Sequence, residues 1–161
     1  MSLFKKVQAY LDAHHPGLQA IELDENTATC ELAAAALEVE VGQIAKSLVF
    51  KGKQEFVMVV AAGDVRISTK KIRQIVGSKV RMATAEEVLE ITGYPIGGVC
   101  PIDLKTPLRI LLDDSLAQYP LVYAAAGTAN SALPVTLAQL QEITGGEIVA
   151  LVEDAEEKAV S

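Results

Sequence analysis

Nine residues, Gly93-Tyr94-Pro95-Ile96-Gly97-Gly98-Val99-Cys100-Pro101, constrain this chain more than any other stretch. Two prolines and three glycines cannot continue a helix or hold a central strand, because proline removes a donor and glycine leaves the backbone unrestrained. A tight loop is expected, with Val99 and Ile102 returning its far end to the core. Gly97-Gly98 also lets a ligand approach bare backbone N–H groups, so the loop can bind an anion or a carbonyl oxygen without a charged side chain. The same glycines suit a plain connector, since Gly/Pro clusters are the usual punctuation between elements.

With 161 residues, half of them apolar and few aromatic, the chain is expected to form one domain around an aliphatic core. At this size folding buries roughly 70% of the unfolded chain's surface. No apolar run approaches the roughly 18 residues that would span a membrane. The start, Met1-Ser2-Leu3-Phe4-Lys5-Lys6, lacks the apolar centre of a signal peptide. Cys30 and Cys100 form no Cys-x-x-Cys pair, so neither a disulfide framework nor a zinc knuckle is indicated. The cytoplasm is the expected compartment, and no membrane partner is expected.

A net charge of −7 argues against general adhesion to DNA or other nucleic acid. Its distribution is uneven. From Lys46 to Arg81 nine basic residues face only Glu55 and Asp64, a net of +7 that leaves −14 on the remainder. Such a segment is either a local phosphate-binding face or a solvated hairpin and helix.

Taken in order, Ser2 caps a helix carrying Leu3, Val7, Tyr10 and Leu11 and stopped by His14-His15-Pro16-Gly17, and Leu18 to Leu23 reads as a short strand. Thr27 or Thr29 opens an Ala-rich helix to Leu37, on which Cys30 is most simply a small core residue. Val41 to Lys51 and Glu55 to Ala62 form a hairpin. Alternation puts Lys46 on one face with Ile44, Leu48 and Phe50, where its ammonium must snorkel out or meet an anion. Ser68 and Thr84 cap two further helices ending at Gly77 and Gly93, with a short strand at Lys79 to Met82 between them. Leu108 to Leu112 and Leu121 to Ala126 read as buried strands, and a capped helix from Thr136 and a strand from Glu147 to Val152 follow. Residues 1–152 then make one domain of the α+β class, and 153–161 an acidic, frayed tail.

Several chemistries lose their support. No histidine follows Arg81, so Cys100 has no evident base to make it a nucleophile. No His-Glu-x-x-His, phosphate-binding Walker loop or strand-linked Gly-x-Gly-x-x-Gly is present. Asp113-Asp114 could hold magnesium, although a strand-end acidic pair is more often solvated.

The lysine strand Ile44-Ala45-Lys46-Ser47-Leu48-Val49, followed by Gly97-Gly98-Val99-Cys100-Pro101 as a Gly-x-x-x-Pro motif, has a familiar order and separation. With Ile110 to Leu116 and Val122 to Gly127, these pieces resemble the YbaK/prolyl-tRNA-synthetase-associated family of editing domains. The resemblance runs from about Thr27 to Val152. It implies a mixed, largely antiparallel sheet rolled towards a barrel with surrounding helices. It also implies a hydrolase that needs neither metal nor other cofactor and deacylates mischarged aminoacyl-tRNA, with a synthetase as a further partner. Lys46, Gly97 and Gly98 would then be catalytic, and Ser47, Cys100, Pro101, Gly127 and Asn130 would bind substrate. Lys51, Lys53, Lys70, Lys71 and Arg73 would track tRNA phosphates. A small amino acid such as cysteine or alanine on proline tRNA is the substrate class implied. Asn130 without a neighbouring histidine, and Thr128-Ala129 where one branch carries arginines, leave the amino acid open. A non-catalytic module of the same fold that captures an aminoacylated or nucleotide-like ligand is the alternative.

Overall fold

The computed structural model describes residues 2–160. Its elements follow the local signals closely. Helix α1 (Leu3–His14) starts where Ser2 Oγ accepts from the Lys5 N–H, and buries Val7 and Leu11. A short strand β1 (Ile21–Glu22) precedes helix α2 (Cys30–Leu37), whose cap is Thr29. Val41–Gln43 is a 3-10 turn, because Glu40 and Gln43 cap one another across it; strand β2 (Ile44–Lys51) therefore begins later than the sequence suggests. It returns as β3 (Phe56–Ala62), registered with Ala45 opposite Ala62 and Lys51 opposite Phe56.

Helix α3 (Thr69–Val76), strand β4 (Arg81–Met82), helix α4 (Ala85–Thr92) and strand β5 (Arg109–Asp113) come next. They are followed by β6 (Val122–Ala124), β7 (Ser131–Val135), helix α5 (Leu137–Thr144), β8 (Glu147–Val149) and helix α6 (Ala155–Val160). Capping boxes at Thr84/Glu87 and Thr136/Gln139 fix where α4 and α5 begin. Strand β7 and helix α6, the latter within the segment expected to be a frayed tail, are elements the sequence reading lacks; Pro134 within β7 breaks the usual strand signature. The proline is tolerated where β1, reaching only Ser131 and Ala132, leaves the outer edge of β7 unpaired. In the acidic tail, Asp154 Oδ1 accepts from the Glu157 N–H and so caps α6, while Ser68 Oγ donates to the Glu157 carboxylate.

All eight strands join one mixed sheet in the order β1-β7-β6-β2-β3-β5-β8, with β4 paired to β2 beside this path. The β2/β6, β3/β5 and β5/β8 contacts are parallel and the others antiparallel. The sheet stays open, with β1 and β8 at its edges. One face carries the larger core, where Ala45, Val49, Met58, Val60 and Leu112 meet Val7, Leu11, Tyr94, Ile102 and Leu140. The other packs Phe50, Val57, Val59 and Ala61 against Ile72 of α3 and Leu151. The expected alternation along β2 holds, and Lys46 lies between Ile44, packed with α2, and the Phe50 cluster.

Asp113 corrects a sequence expectation. Its carboxylate is fully buried and accepts from the Ser115 N–H at 3.0 Å and the Leu151 N–H at 2.6 Å. With its carboxylate out of solvent and each oxygen accepting a backbone N–H, Asp113 is a structural tie and not a solvated group. Asp113 ties the end of β5 to the segment beyond β8. Among the described residues no helix is long and apolar enough to cross a membrane.

Candidate active site

The site is a gap in the sheet. Along one side β2 pairs with β3 from Ala45 to Lys51. On its other side β2 meets β6 only at Ile44–Ala45 and β4 only at Phe50–Lys51. Lys46, Ser47 and Leu48 lie where these two neighbours diverge. There the sheet opens on a cleft of about 310 Å³, walled by Thr27–Cys30 at the head of α2, by Ile96–Gly97 and by Tyr123–Ala125. That volume is at the lower end of small-ligand sites.

Each wall is locked from behind. The loop from Gly93 to Asp103 is pinned by Tyr94, fully buried, whose hydroxyl donates to the Ile102 carbonyl at 2.6 Å. Lys6 lies over the Tyr94 ring and pairs with Asp103 at 2.8 Å, fastening the loop to α1. The wall before α2 hangs on the loop that precedes β7. Thr27 N–H donates to the Ala129 carbonyl, Leu23 N–H to the Asn130 carbonyl, and Asn130 Nδ2 to the Leu23 carbonyl. Gly97 (φ +95°) supplies a left-handed turn, and a Cβ there would stand 3.1 Å from Ala28 Cβ. Glycine thus lets the loop tip approach the head of α2.

Lys46 Nζ donates to the Val65 carbonyl at 2.5 Å, and no carboxylate lies within 4 Å of it among the described residues. The ammonium therefore leans on a neutral acceptor while its side chain lines the cleft. Ser47 Oγ is buried there without a hydrogen-bond partner among the described residues. Cys30, half-buried, also lines the cleft; desolvation pushes its thiol pKa up, and the positive charge of Lys46 pulls the other way. Two exposed apolar side chains, Met82 and Ile96, stand among the cleft residues.

The structure thus brings Lys46, Ser47 and Gly97 together and leaves other expected residues behind the walls. Gly98 donates its N–H to the Pro95 carbonyl at 3.0 Å, so that amide is already engaged. Its missing side chain serves packing, since a Cβ would lie 2.8 Å from Thr128 N and 2.9 Å from the Gly127 carbonyl oxygen. Gly127 lies against Leu3 and Tyr94, and the Asn130 amide straps Leu23. Cys100 and Pro101 are buried on the core side of the loop. Burial raises the Cys100 thiol pKa to about 12, so it stays protonated at neutral pH.

Sequence reasoning missed Thr27, Cys30, Tyr123 and Ser131 as cleft residues. A Thr and a Ser held together by Thr27 Oγ1 and the Ser131 backbone across 104 positions carry no local signal. A thiol-alkylating agent should label Cys30 and spare Cys100. Inhibition by that agent should persist in Cys100→Ala and vanish in Cys30→Ala. The reverse pattern would make Cys100 the reactive thiol.

Among the basic residues, Lys51 pairs with Glu87 at 3.5 Å and Lys71 Nζ donates to the Val152 carbonyl at 2.6 Å. Lys53, Lys70 and Arg73 are exposed and without an ion-pair partner among the described residues.

Fold and cleft define an α+β domain built around a lysine on a central strand, where the sheet splits. Residues 24–143 match the aminoacyl-tRNA editing domain, and the chain belongs to that family. It is 40% identical over 149 residues to the uncharacterized protein YwhH of Bacillus subtilis, covering 92% of this chain and 94% of that one. The proline–tRNA ligase of Thermosipho africanus is 42% identical over 89 residues, which are 55% of this chain but 16% of the ligase. A crystal structure presented as a candidate trans-editing enzyme for prolyl tRNA synthetase superposes with a TM-score of 0.90 at 39% identity, covering 96% of this chain and 99% of that one.

Proposed function

We propose that this protein is a trans-editing hydrolase that cleaves the ester between a small amino acid and the terminal ribose of a mischarged tRNA. The observation that carries the proposal is Lys46, a cation with no carboxylate partner among the described residues, lining a small cleft whose other walls are largely alanine and aliphatic side chains. An aminoacyl ester is already activated, so positioning and fixed hydrogen-bond donors can supply the catalysis without a metal. Lys46 would hold a phosphate or the ribose end of the substrate. Met82 and Ile96 would offer apolar surface to the terminal base. The alanines of the walls favour a small aminoacyl side chain, such as cysteine or alanine on proline tRNA. The expected compartment is the cytoplasm, where the aminoacyl-tRNA pool and its synthetases are found.

A deacylation assay on a panel of mischarged tRNAs tests this directly. Hydrolysis above the uncatalysed rate is expected for small amino acids. Binding with no hydrolysis on any member would favour a capture module instead. Lys53, Lys70 and Arg73 are proposed to contact tRNA phosphates, so binding should weaken with salt. Replacing all three by alanine should lower the log–log salt slope by about 2–3, as counterion release at single strands and duplexes requires. An unchanged slope would show that these cations are a solvated face.

A further inference from the structure

Strand β2 carries an unpaired length of backbone whose chemistry matches one amino acid. Two hydrogen bonds fix the phase of its amides. Ala62, opposite Ala45, turns its N–H away from β2 to Ser115 Oγ at 3.1 Å, and the Val49 carbonyl accepts from the Ala83 N–H at 2.9 Å. Odd-numbered residues of β2 therefore direct their N–H and C=O groups away from β3. Ala45 faces β6, Lys51 faces β4, and Ser47 between them, backed by β3 on its other side, faces no strand among the described residues. An edge residue of this kind presents one donor and one acceptor to whatever lies beside it. In an antiparallel sheet the residue facing such a position returns a carbonyl to the N–H and an N–H to the carbonyl.

We propose that the Ser47 main chain pairs with the aminoacyl group of the substrate as a one-residue strand, a proposal that rests on the deacylase function above. The Ser47 C=O accepts from the α-ammonium, and the Ser47 N–H donates to the ester carbonyl. The gap admits one residue because β6 occupies Ala45 and the Ala83 N–H occupies Val49. Recognition of extended chain by a free sheet edge is a general mode, used here on a single unit. When water adds to the carbonyl carbon, the electron pair moves onto the oxygen that Ser47 N–H holds. Collapse then breaks the bond to the ribose oxygen, which takes a proton originating from the water, and the amino acid leaves as its carboxylate with a second proton released. Ser47 N–H thereby takes the role that the engaged Gly98 N–H cannot fill. Side chains facing across a pair share a sheet face, so the substrate side chain comes beside Ser47 Oγ, the buried hydroxyl left without a partner among the described residues.

The test uses the full chain labelled with ¹⁵N and a non-hydrolysable probe, adenosine bearing an alanyl group through a 3′-amide. In the free protein the Ser47 amide should exchange faster than those of Lys46 and Leu48, which face β3. The probe should slow Ser47 exchange by about 10-fold, the scale of one net hydrogen bond, whereas a propionyl probe lacking the α-amino group should bind about 10-fold or more weakly. On tRNA, the propionyl ester should be cleaved about 10-fold or more slowly than the alanyl ester. Ser47→Ala keeps the main chain, so it must keep that discrimination. A Ser47 amide that is unmoved by bound probe, or equal cleavage of the two esters, overturns the pairing while leaving the deacylase function standing. No hydrolysis of any aminoacyl-tRNA overturns both.

Discussion

Lys46→Ala should lower deacylation by about 100-fold, the scale on which a lost positioning contact acts. Its melting temperature should stay within a few degrees of the parent. The two quantities separate because the ammonium makes little use of its strength in the free protein. It gives one bond to the Val65 carbonyl and shares a strand face with Ile44, Leu48 and Phe50. Losing that bond costs about 0.5–1.5 kcal/mol, and removing a partly desolvated cation offsets part of it. A substrate phosphate would give this charge the close anion that no carboxylate among the described residues supplies. Lys46→Arg should rescue poorly, because a planar fork does not replace a point charge in a tight site. Rate constants and thermal scans on the same preparations decide the matter. A melting temperature that drops while the rate holds would remove Lys46 from the site.

Gly98→Ala should act in the opposite order, through stability first. The added methyl would stand 2.8 Å from Thr128 N and 2.9 Å from the Gly127 carbonyl carbon and oxygen, all of them backbone atoms that cannot rotate aside. Overpacking of this kind costs about 1–3 kcal/mol. At this chain length each kcal/mol lowers the melting temperature by about 2–4 °C. The displaced segments are the loop carrying Ile96 and Gly97 and the strap that holds Thr27, so activity should fall with stability. Gly77→Ala provides the comparison. Gly77 has φ +86° with no atom within 4 Å of a Cβ, so only backbone strain of about 1 kcal/mol is expected, with deacylation per folded molecule unchanged. If Gly98→Ala matches Gly77→Ala in both measurements, the close approach of the two loops carries no weight.

Much of the fold was legible because its signals are local. Ser2, Thr29, Ser68, Thr84 and Thr136 all cap the helices their spacing announces, and the β2–β3 hairpin lies where alternation puts it. Lys46 stood out by a local rule too, as a charge on an apolar strand face. The cleft was less legible, because its shape depends on which strands diverge. Nothing near Ser47 in the chain says that β6 ends beside Ala45 and β4 ends beside Phe50. The two glycines of the Gly-x-x-x-Pro motif were hard to tell apart for a related reason. Composition marks Gly97 and Gly98 alike, yet Gly97 lines the cleft and Gly98 is spent on packing against a loop thirty positions away. Asn130 likewise has the chemistry of a ligand but is committed to Leu23.

The straps between residues 23–27 and 129–131 also set an order of assembly. The hairpin of β2 and β3 needs only neighbours in the chain, so it can form early and at small entropic cost. The wall that closes the cleft joins segments more than a hundred positions apart, as in Asn130 with Leu23. A nascent chain that has reached Ala126 already holds the lysine strand and the glycine loop, but it has no far wall against which a substrate could be oriented. If the proposed deacylase function holds, activity should require synthesis to have passed β7, so that a partly made chain would not act on the tRNAs still feeding its own ribosome.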